Sequence, residues 1–341
     1  MTALASIAPL VFIGSLVLVY SDATDTLRFV GVGGIGLLLG GLIAKAPFPP
    51  FTTGRSVVRK LFAEPGPSGF KIRVSIGESP MDVSCLDHSN ACSIGPEFVT
   101  DLNALFVADP FVITNEDRAW IFFEAMEEEN RKGVICAAWS DDGKEWTYHG
   151  KVLDEPFHLS YPQIIKHDDQ IWMIPESCHD YSVRLYRADN FPNQWTHTNT
   201  LLSGYCYCDN TVFQKEDTWW LFSSIGNDHL NLYQADSIKG PWIPHESNPV
   251  VRTGARDSRM AGSVIYKDGK AIRVAQDCVE KYGHFLRGYE ITKLNTKDYQ
   301  EKELVESPIL YPSPGSWKKH GCHHLDQTQF KGKWLIVSDG Y

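Results

Sequence analysis

Five times along the chain an apolar run leads into a polar turn. Each time it returns through a second apolar run, aromatic-rich in most copies, and ends on an acidic or small polar residue. The copies occupy 109–124 (DPFVITNEDRAWIFFE), 161–176 (YPQIIKHDDQIWMIPE), 209–224 (DNTVFQKEDTWWLFSS), 261–276 (AGSVIYKDGKAIRVAQ) and, shortened, 325–338 (LDQTQFKGKWLIVS). Each reads as two strands around a tight turn, with Glu116-Asp117, Asp168-Asp169 and Asp268-Gly269 in the positions hairpins favour. The first four copies start 52, 48 and 52 residues apart, and a period near 50 in a strand-only pattern marks propeller blades. A third strand and a Trp follow each of the first three copies, and Trp139, Trp146, Trp195 and Trp242 are expected to pack between blades. After the fifth copy only Asp339, Gly340 and Tyr341 remain. The segment 70–105, where Ile72, Val74 and Ile76 alternate, is expected to complete that blade and close the ring; an unfinished blade is the alternative. The expected fold is all-β, a five-bladed β-propeller over 70–341.

The N-terminal pattern is different. Two uncharged apolar runs, 3–20 and 29–44, flank the polar stretch SDATDTLR. The first has about the length that spans a bilayer; the second is slightly short and glycine-rich. No basic stretch precedes them and no cleavage site follows, which disfavours a removable signal peptide. The expectation is a transmembrane anchor of one or two helices over 1–46 and a Pro/Gly-rich linker over 47–69. Lys45, Arg55, Arg59 and Lys60 follow the second run and only Arg28 precedes it, a bias that puts the large domain on the cytoplasmic side.

Composition adds little. Of 341 residues, 43% are hydrophobic and 22% charged, as in an ordered globular protein. The formal charge of −10, without a basic stripe, sets nucleic acid aside and suits a neutral or cationic ligand better than a polyanion. None of the eight cysteines forms a CxxC pair, so a zinc ribbon is disfavoured. Cys85 and Cys92 bracket a short loop and read equally well as a disulfide or as two thiols. No cofactor is expected, and no ligand spacing marks a metal site.

The first strand of a propeller blade lines the central channel, so the leading residues Asp109, Tyr161, Asp209, Ala261 and Asp326 are expected to face one another. Carboxylates held close raise one another's pKa, and carboxyls with separated pKa values are what glycosidic bond cleavage uses. Glu124, Glu176, Asp277 and Asp339 form a second set at the ends of copies. His158, His320, His323 and His324 add imidazoles near blade entrances, and Arg256, in the loop GARDSRMAG, could reach the acids. Each of these residues also has a structural reading as a cap, an ion-pair member or a satisfied core group.

VADPF (107–111), HLSYPQ (158–163), IPES (174–177), VRLYRADNFPNQW (183–195), GAR (254–256), RVAQDC (273–278) and HHLDQTQ (323–329) together resemble one family. It is the N-terminal propeller domain of plant glucosamine inositolphosphorylceramide transferases, and the resemblance runs from about Lys71 to the end. It implies a fold similar to the five-bladed glycoside hydrolases of families 43 and 32, a glycan or glycolipid ligand, and a membrane setting with the propeller on the lumenal side of the Golgi. The last point opposes the charge bias. In the plant proteins a separate glycosyltransferase domain follows, which implies such an enzyme as a partner here. The hydrolases use two Asp and a Glu acid from successive blades. Asp109 and Asp209 match the two Asp in kind, but the fourth copy begins Ala261-Gly262-Ser263. Either Glu176, Asp277 or Asp326 takes the acid role, or the hydrolytic machinery is absent. The catalytic reading therefore takes Asp109, Asp209, Glu176 and Asp326. The substrate-binding reading takes Glu124, His158, Arg256, Asp277, His324 and Asp339.

Overall fold

The computed structural model describes residues 69–341 and, before them, the backbone of three short strands, Leu10–Phe12, Ser15–Ser21 and Leu27–Gly31. These three pair antiparallel in sequence order and belong to a compact unit of their own, residues 1–64. Where the first apolar run is described it is strand and not the expected helix, and valine-rich SLVLVYS suits a strand. The rest of the anchor and nearly all of the linker lie outside the described residues. Among the described residues, no helix is long and apolar enough to cross a membrane.

The second unit is a five-bladed propeller. Blade one is Ala104–Asn115, Arg118–Glu127, Gly133–Ser140 and Thr147–Leu153. Blade two is Ser160–His167, Gln170–Ser177, Ser182–Asn190 and Gln194–Ser203. Blade three is Tyr207–Lys215, Thr218–Ile225, His229–Ala235 and the short Ile243–Pro244. In blade four the innermost strand is broken into Arg259–Met260 and Ile265–Lys267, followed by Lys270–Asp277, Phe285–Leu294 and Tyr299–Glu303. Blade five joins the C-terminal Leu325–Phe330 and Lys333–Gly340 to Lys71–Gly77 and Cys92–Ile94, as the alternation at 72–76 predicts. This closure leaves the first and last strands no free edge on which the ring could open.

The blades are held by apolar clusters at their interfaces. Ile121, Phe123 and Val134 of blade one meet Ile72, Val74 and Leu335 of blade five. Leu185 and Ile174 of blade two meet Leu221 and Trp242 of blade three. Trp146, Trp139 with Trp195, and Trp242 all pack into these inter-blade layers. The turns between first and second strands take the left-handed backbone that type I′ hairpins need, at Asp168-Asp169, Asp268-Gly269 and Lys331-Gly332.

A disulfide is present, but it joins Cys178 to Cys206, while Cys85 and Cys92 are free thiols. The physical reason is that the latter two face opposite sides of blade five. Cys85 packs with Leu86, Leu286 and Cys322 toward blade four, and Cys92 packs with the cluster toward blade one.

Candidate functional site

The site grows from a repeated backbone irregularity. In blades one, two and three the innermost strand carries a bulge between Ala108 and Phe111, Ser160 and Gln163, and Cys208 and Thr211. The bulged residue has positive φ each time: 53° at Asp109, 45° at Tyr161 and 49° at Asp209. None is glycine, so each position stores about 1–2 kcal/mol of strain. A bulge turns its own N–H out of the ladder, and in all three blades a carboxylate takes it. Asp109 N–H donates to Asp339 Oδ2 at 2.9 Å, Tyr161 N–H to Asp109 Oδ2 at 3.2 Å, and Asp209 N–H to Glu176 Oε2 at 2.9 Å. Each carboxylate comes from the preceding blade, so the acids also link one blade to the next.

Blades four and five lack this device. Tyr161 crosses the channel floor, where its hydroxyl accepts from Gly262 N–H at 2.7 Å and meets Thr211 Oγ1 at 2.8 Å. Gly262 has φ 117°, and a Cβ there would lie 1.9 Å from the Leu325 carbonyl oxygen. The Ala261-Gly262-Ser263 sequence thus lets blade five approach closely, which explains why no carboxylate stands there. In blade five Leu325, Asp326 and Gln327 pair with Ser338, Val337 and Ile336 without a bulge. That register displaces Asp326 from the position of Asp109, and its Oδ2 instead accepts from Val112 N–H of blade one at 2.9 Å. Burial pushes the Asp326 carboxyl up to about 7.

The structure therefore brings together Asp109, Glu124, Glu176, Asp209 and Asp339, and holds Asp326 apart as a staple between blades. Asp109, Glu124, Asp209 and Asp339 are 6%, 5%, 2% and 0% exposed. Two cations sit among them: His323, one of the imidazoles expected near the blade entrances, and Arg259, three residues beyond the expected Arg256. Arg259, not Arg256, donates from Nε to Asp209 Oδ2 at 2.5 Å and lies 3.9 Å from Glu176 Oε2. His323 places Nδ1 2.7 Å from Asp339 Oδ1 and Nε2 3.6 Å from Asp109 Oδ1, and it stacks on Phe70. The signal for Arg259 was its place at the start of blade four's innermost strand, opposite Gln276. Arg256 sits in the turn before it and pairs with Glu303 at 2.6 Å. Asp277 pairs with Arg287 at 2.9 Å within blade four. His324 lies at the channel floor against Phe111 and Tyr161, 3.7 Å from Asp109, with both ring nitrogens buried and unpartnered. His158 accepts from Gly133 N–H at its Nδ1, which leaves Nε2 facing Glu124 Oε1 at 3.5 Å. Gly133 makes that room, since a Cβ there would meet Glu124 Oε1 at 2.7 Å. Glu124 Oε1 is buried without a hydrogen-bond partner.

Burial and mutual repulsion separate the carboxyls by charge. Burial raises Glu176 to about 8, with Asp209 adding to it. Burial holds Glu124 well above the carboxylate range, helped by Asp109 and Glu176. Asp109 is raised to about 7 by burial against the pull of His323. Burial also opposes charge on Asp339, but His323 outweighs it and holds Asp339 low. Burial opposes the His323 cation too, yet Asp339 and Asp109 raise it to about 9. Burial lowers His158 and His324 to about 4. At neutral pH the centre thus holds protonated Glu124 and Glu176, ionised Asp339, cationic His323 and Arg259, and an Asp109 near its midpoint. Asp109, His323 and Asp339 each offer a ligand atom within 4.8 Å of the others, so they could hold a metal ion.

The family model for the N-terminal part of glucosamine inositolphosphorylceramide transferase 1 matches residues 71–341. The chain belongs to this family. It is 35% identical over 247 residues to glucosamine inositolphosphorylceramide transferase 1 of Oryza sativa subsp. japonica, covering 69% of this chain and 33% of the rice protein. The Arabidopsis thaliana protein of the same name is 34% identical over 250 residues, covering 69% of this chain and 32% of the relative. The match thus spans about a third of the length of these curated relatives. Among solved structures, a glycosyl hydrolase from Bacteroides ovatus aligns with a TM-score of 0.53 at 12% identity, covering 68% of this chain and 83% of that one. The catalytic domain of a Coprinopsis cinerea GH62 α-L-arabinofuranosidase aligns at 0.52 and 15% identity, covering 80% and 98%. At such identities these two likenesses show the fold alone.

Proposed function

We propose that this propeller acts on a glycan or glycolipid at its acidic centre by glycosidase- or transglycosidase-like acid–base chemistry. The observation that carries the reading is the presence, in one buried cluster, of carboxyls raised to about 7 and 8 beside one held low. Protonated Glu176 or Glu124 can give a proton to a leaving glycosidic oxygen, and Asp109 can take one from water or attack the sugar. Asp209, fixed by Arg259 and Gln276, orients the sugar and keeps Glu176 protonated. The family and its glycolipid-linked name support a glycosyl inositol phosphorylceramide as the ligand. In the same reading the apolar N-terminal runs anchor the chain in a secretory-pathway membrane, with the propeller lumenal.

A second reading, a non-catalytic sugar-binding module that serves a separate glycosyltransferase, is favoured by one feature. Blade four contributes Ala261-Gly262-Ser263 where the hydrolases resembled by this fold carry their acid.

The test incubates the full chain, wild type and Asp109→Asn, with oligosaccharides and glycosyl inositol phosphorylceramides, and follows bound ligand and released sugar by mass spectrometry. The expected outcome is product from the wild type and at least a hundredfold less from the variant, with retained binding. Binding by both without product replaces the first reading with the second. No binding by either overturns both.

A further inference from the structure

Away from the ionic contacts of the centre, three of the cysteines converge at the junction of blades two and three. Cys178 follows the second strand of blade two, and Cys206 and Cys208 flank Tyr207 at the start of blade three. Cys178 and Cys206 form the disulfide, and Cys208 Sγ lies 3.9 Å from Cys206 Sγ. The ligand atoms of all three lie within 4.8 Å of one another, with Cys178 and Cys208 buried and Cys206 half-buried. The neighbouring Tyr181 and Tyr205 are exposed, so the cluster lies close to solvent.

We propose that these sulfurs form a redox-gated site for a soft metal ion, closed as a disulfide and able, once reduced by a dithiol, to bind one Zn²⁺ through three thiolates. In the reducing step the dithiol is oxidised to its own disulfide, the Cys178–Cys206 bond breaks, and each freed sulfur takes one of the two protons. Zinc then displaces the protons of the three thiols into solvent. Tetrahedral zinc with Zn–S near 2.3 Å sets its sulfur ligands about 3.8 Å apart. The Cys206–Cys208 pair already stands at that spacing, and breaking the disulfide lets Cys178 move out to it. Three thiolates favour Zn²⁺ over hard cations and leave a fourth position for water. The site borders the acidic centre, because Cys178 lies two residues beyond Glu176 and Cys208 immediately precedes Asp209. Both states therefore tie together the two blades that also share the Glu176–Asp209 hydrogen bond. The inference is independent of any reaction at that centre.

The experiment compares unreduced full chain with chain reduced by a dithiol and desalted without oxygen. Both are titrated with Zn²⁺ against a chromophoric chelator, then with Co²⁺ by absorption spectroscopy. The expected result is one zinc per reduced chain, bound at least tenfold more tightly than by the unreduced chain, with a thiolate-to-cobalt charge-transfer band. Cys208→Ser should keep the disulfide but, once reduced, lose tenfold or more in zinc affinity; Cys85→Ser should bind as the wild type does. Equal zinc binding before and after reduction overturns the proposal. So does a cobalt spectrum without the thiolate band, which would place the ion on oxygen and nitrogen donors such as Asp109, His323 and Asp339.

Discussion

The two halves of the acidic centre are built to one plan. On one side Asp339 of blade five accepts the bulged Asp109 N–H at 2.9 Å, and His323 stands between the two carboxylates. On the other, Glu176 of blade two accepts the bulged Asp209 N–H at 2.9 Å, and Arg259 stands between them. The backbone device is the same and the cation differs. A guanidinium is charged at every pH the protein meets, whereas an imidazolium exists only while its carboxylates hold its proton. The cation of one half is therefore fixed, and that of the other can titrate.

Breaking the fixed half should have the largest effect. Arg259→Met leaves Asp209, 2% exposed, without its cation, and removing one partner of a buried pair costs about 3–5 kcal/mol. Denaturant unfolding should show that loss. A variant as stable as the wild type would mean that the Arg259 half is not held by its ion pair.

The titrating half should show itself in pH. His323 has its pKa raised from 6.5 to about 9, so its contribution is full below 6.5 and is lost as pH rises through about 9. Asp109 and Glu176, raised from 3.8 to about 7 and from 4.5 to about 8, act in the same direction. Each binds a proton in the folded chain that the unfolded chain has already released, so their contribution falls as pH climbs from about 4 to 8; His158 and His324, lowered from 6.5 to about 4, oppose that fall below 6.5 and leave it unopposed above. Calorimetry should find Tm lower at pH 9 than at pH 5.5 by roughly 5 °C or more. His323→Gln should remove the histidine's own share of the fall between 6.5 and 9, while Asp109, freed of its pull, holds its proton to higher pH. A Tm that rises across the range would remove the distinction between the halves.

The smallest effect should come from Arg256→Ala. This arginine is 43% exposed in its pair with Glu303, and such pairs contribute about 0–1 kcal/mol. A loss comparable to that of Arg259→Met would show that the pair of Arg256 with Glu303 reaches the centre, which sharpens where the fixed half ends.

The contrast between neighbours also shows how far the sequence could be read. Asp109, Glu124, Glu176, Asp209 and Asp339 were legible as acids at equivalent ends of repeated copies. His323 was legible only as one of several imidazoles near the blade entrances, and Arg259 was not legible, although Arg256 lies three residues away. The way a residue faces is set by the backbone around it, and His323 and His324 stand in the irregular segment just before Leu325–Phe330. His324 accordingly points to the aromatic floor while His323 lies between two aspartates. Asp326 was misaligned for a related reason, since the bulge that turns Asp109 and Asp209 into the centre is missing from blade five.

Repetition and alternation were properties of the chain alone. Five copies of strand, turn and strand, each with one face to bury, admit few arrangements other than five blades, and the alternation at Ile72, Val74 and Ile76 supplied the closing strand. The pairing of charges was decided only in three dimensions. Which carboxylate takes which N–H depends on bulges that add a residue to one strand and not to another, and on contacts between residues as far apart as Asp109 and Asp339. The same holds for Cys178 and Cys206, joined across two blades while the closely spaced Cys85 and Cys92 are kept apart by the sheet between them. Local pattern records which side chains a strand buries; the partner each one meets is set by the packing of blade on blade.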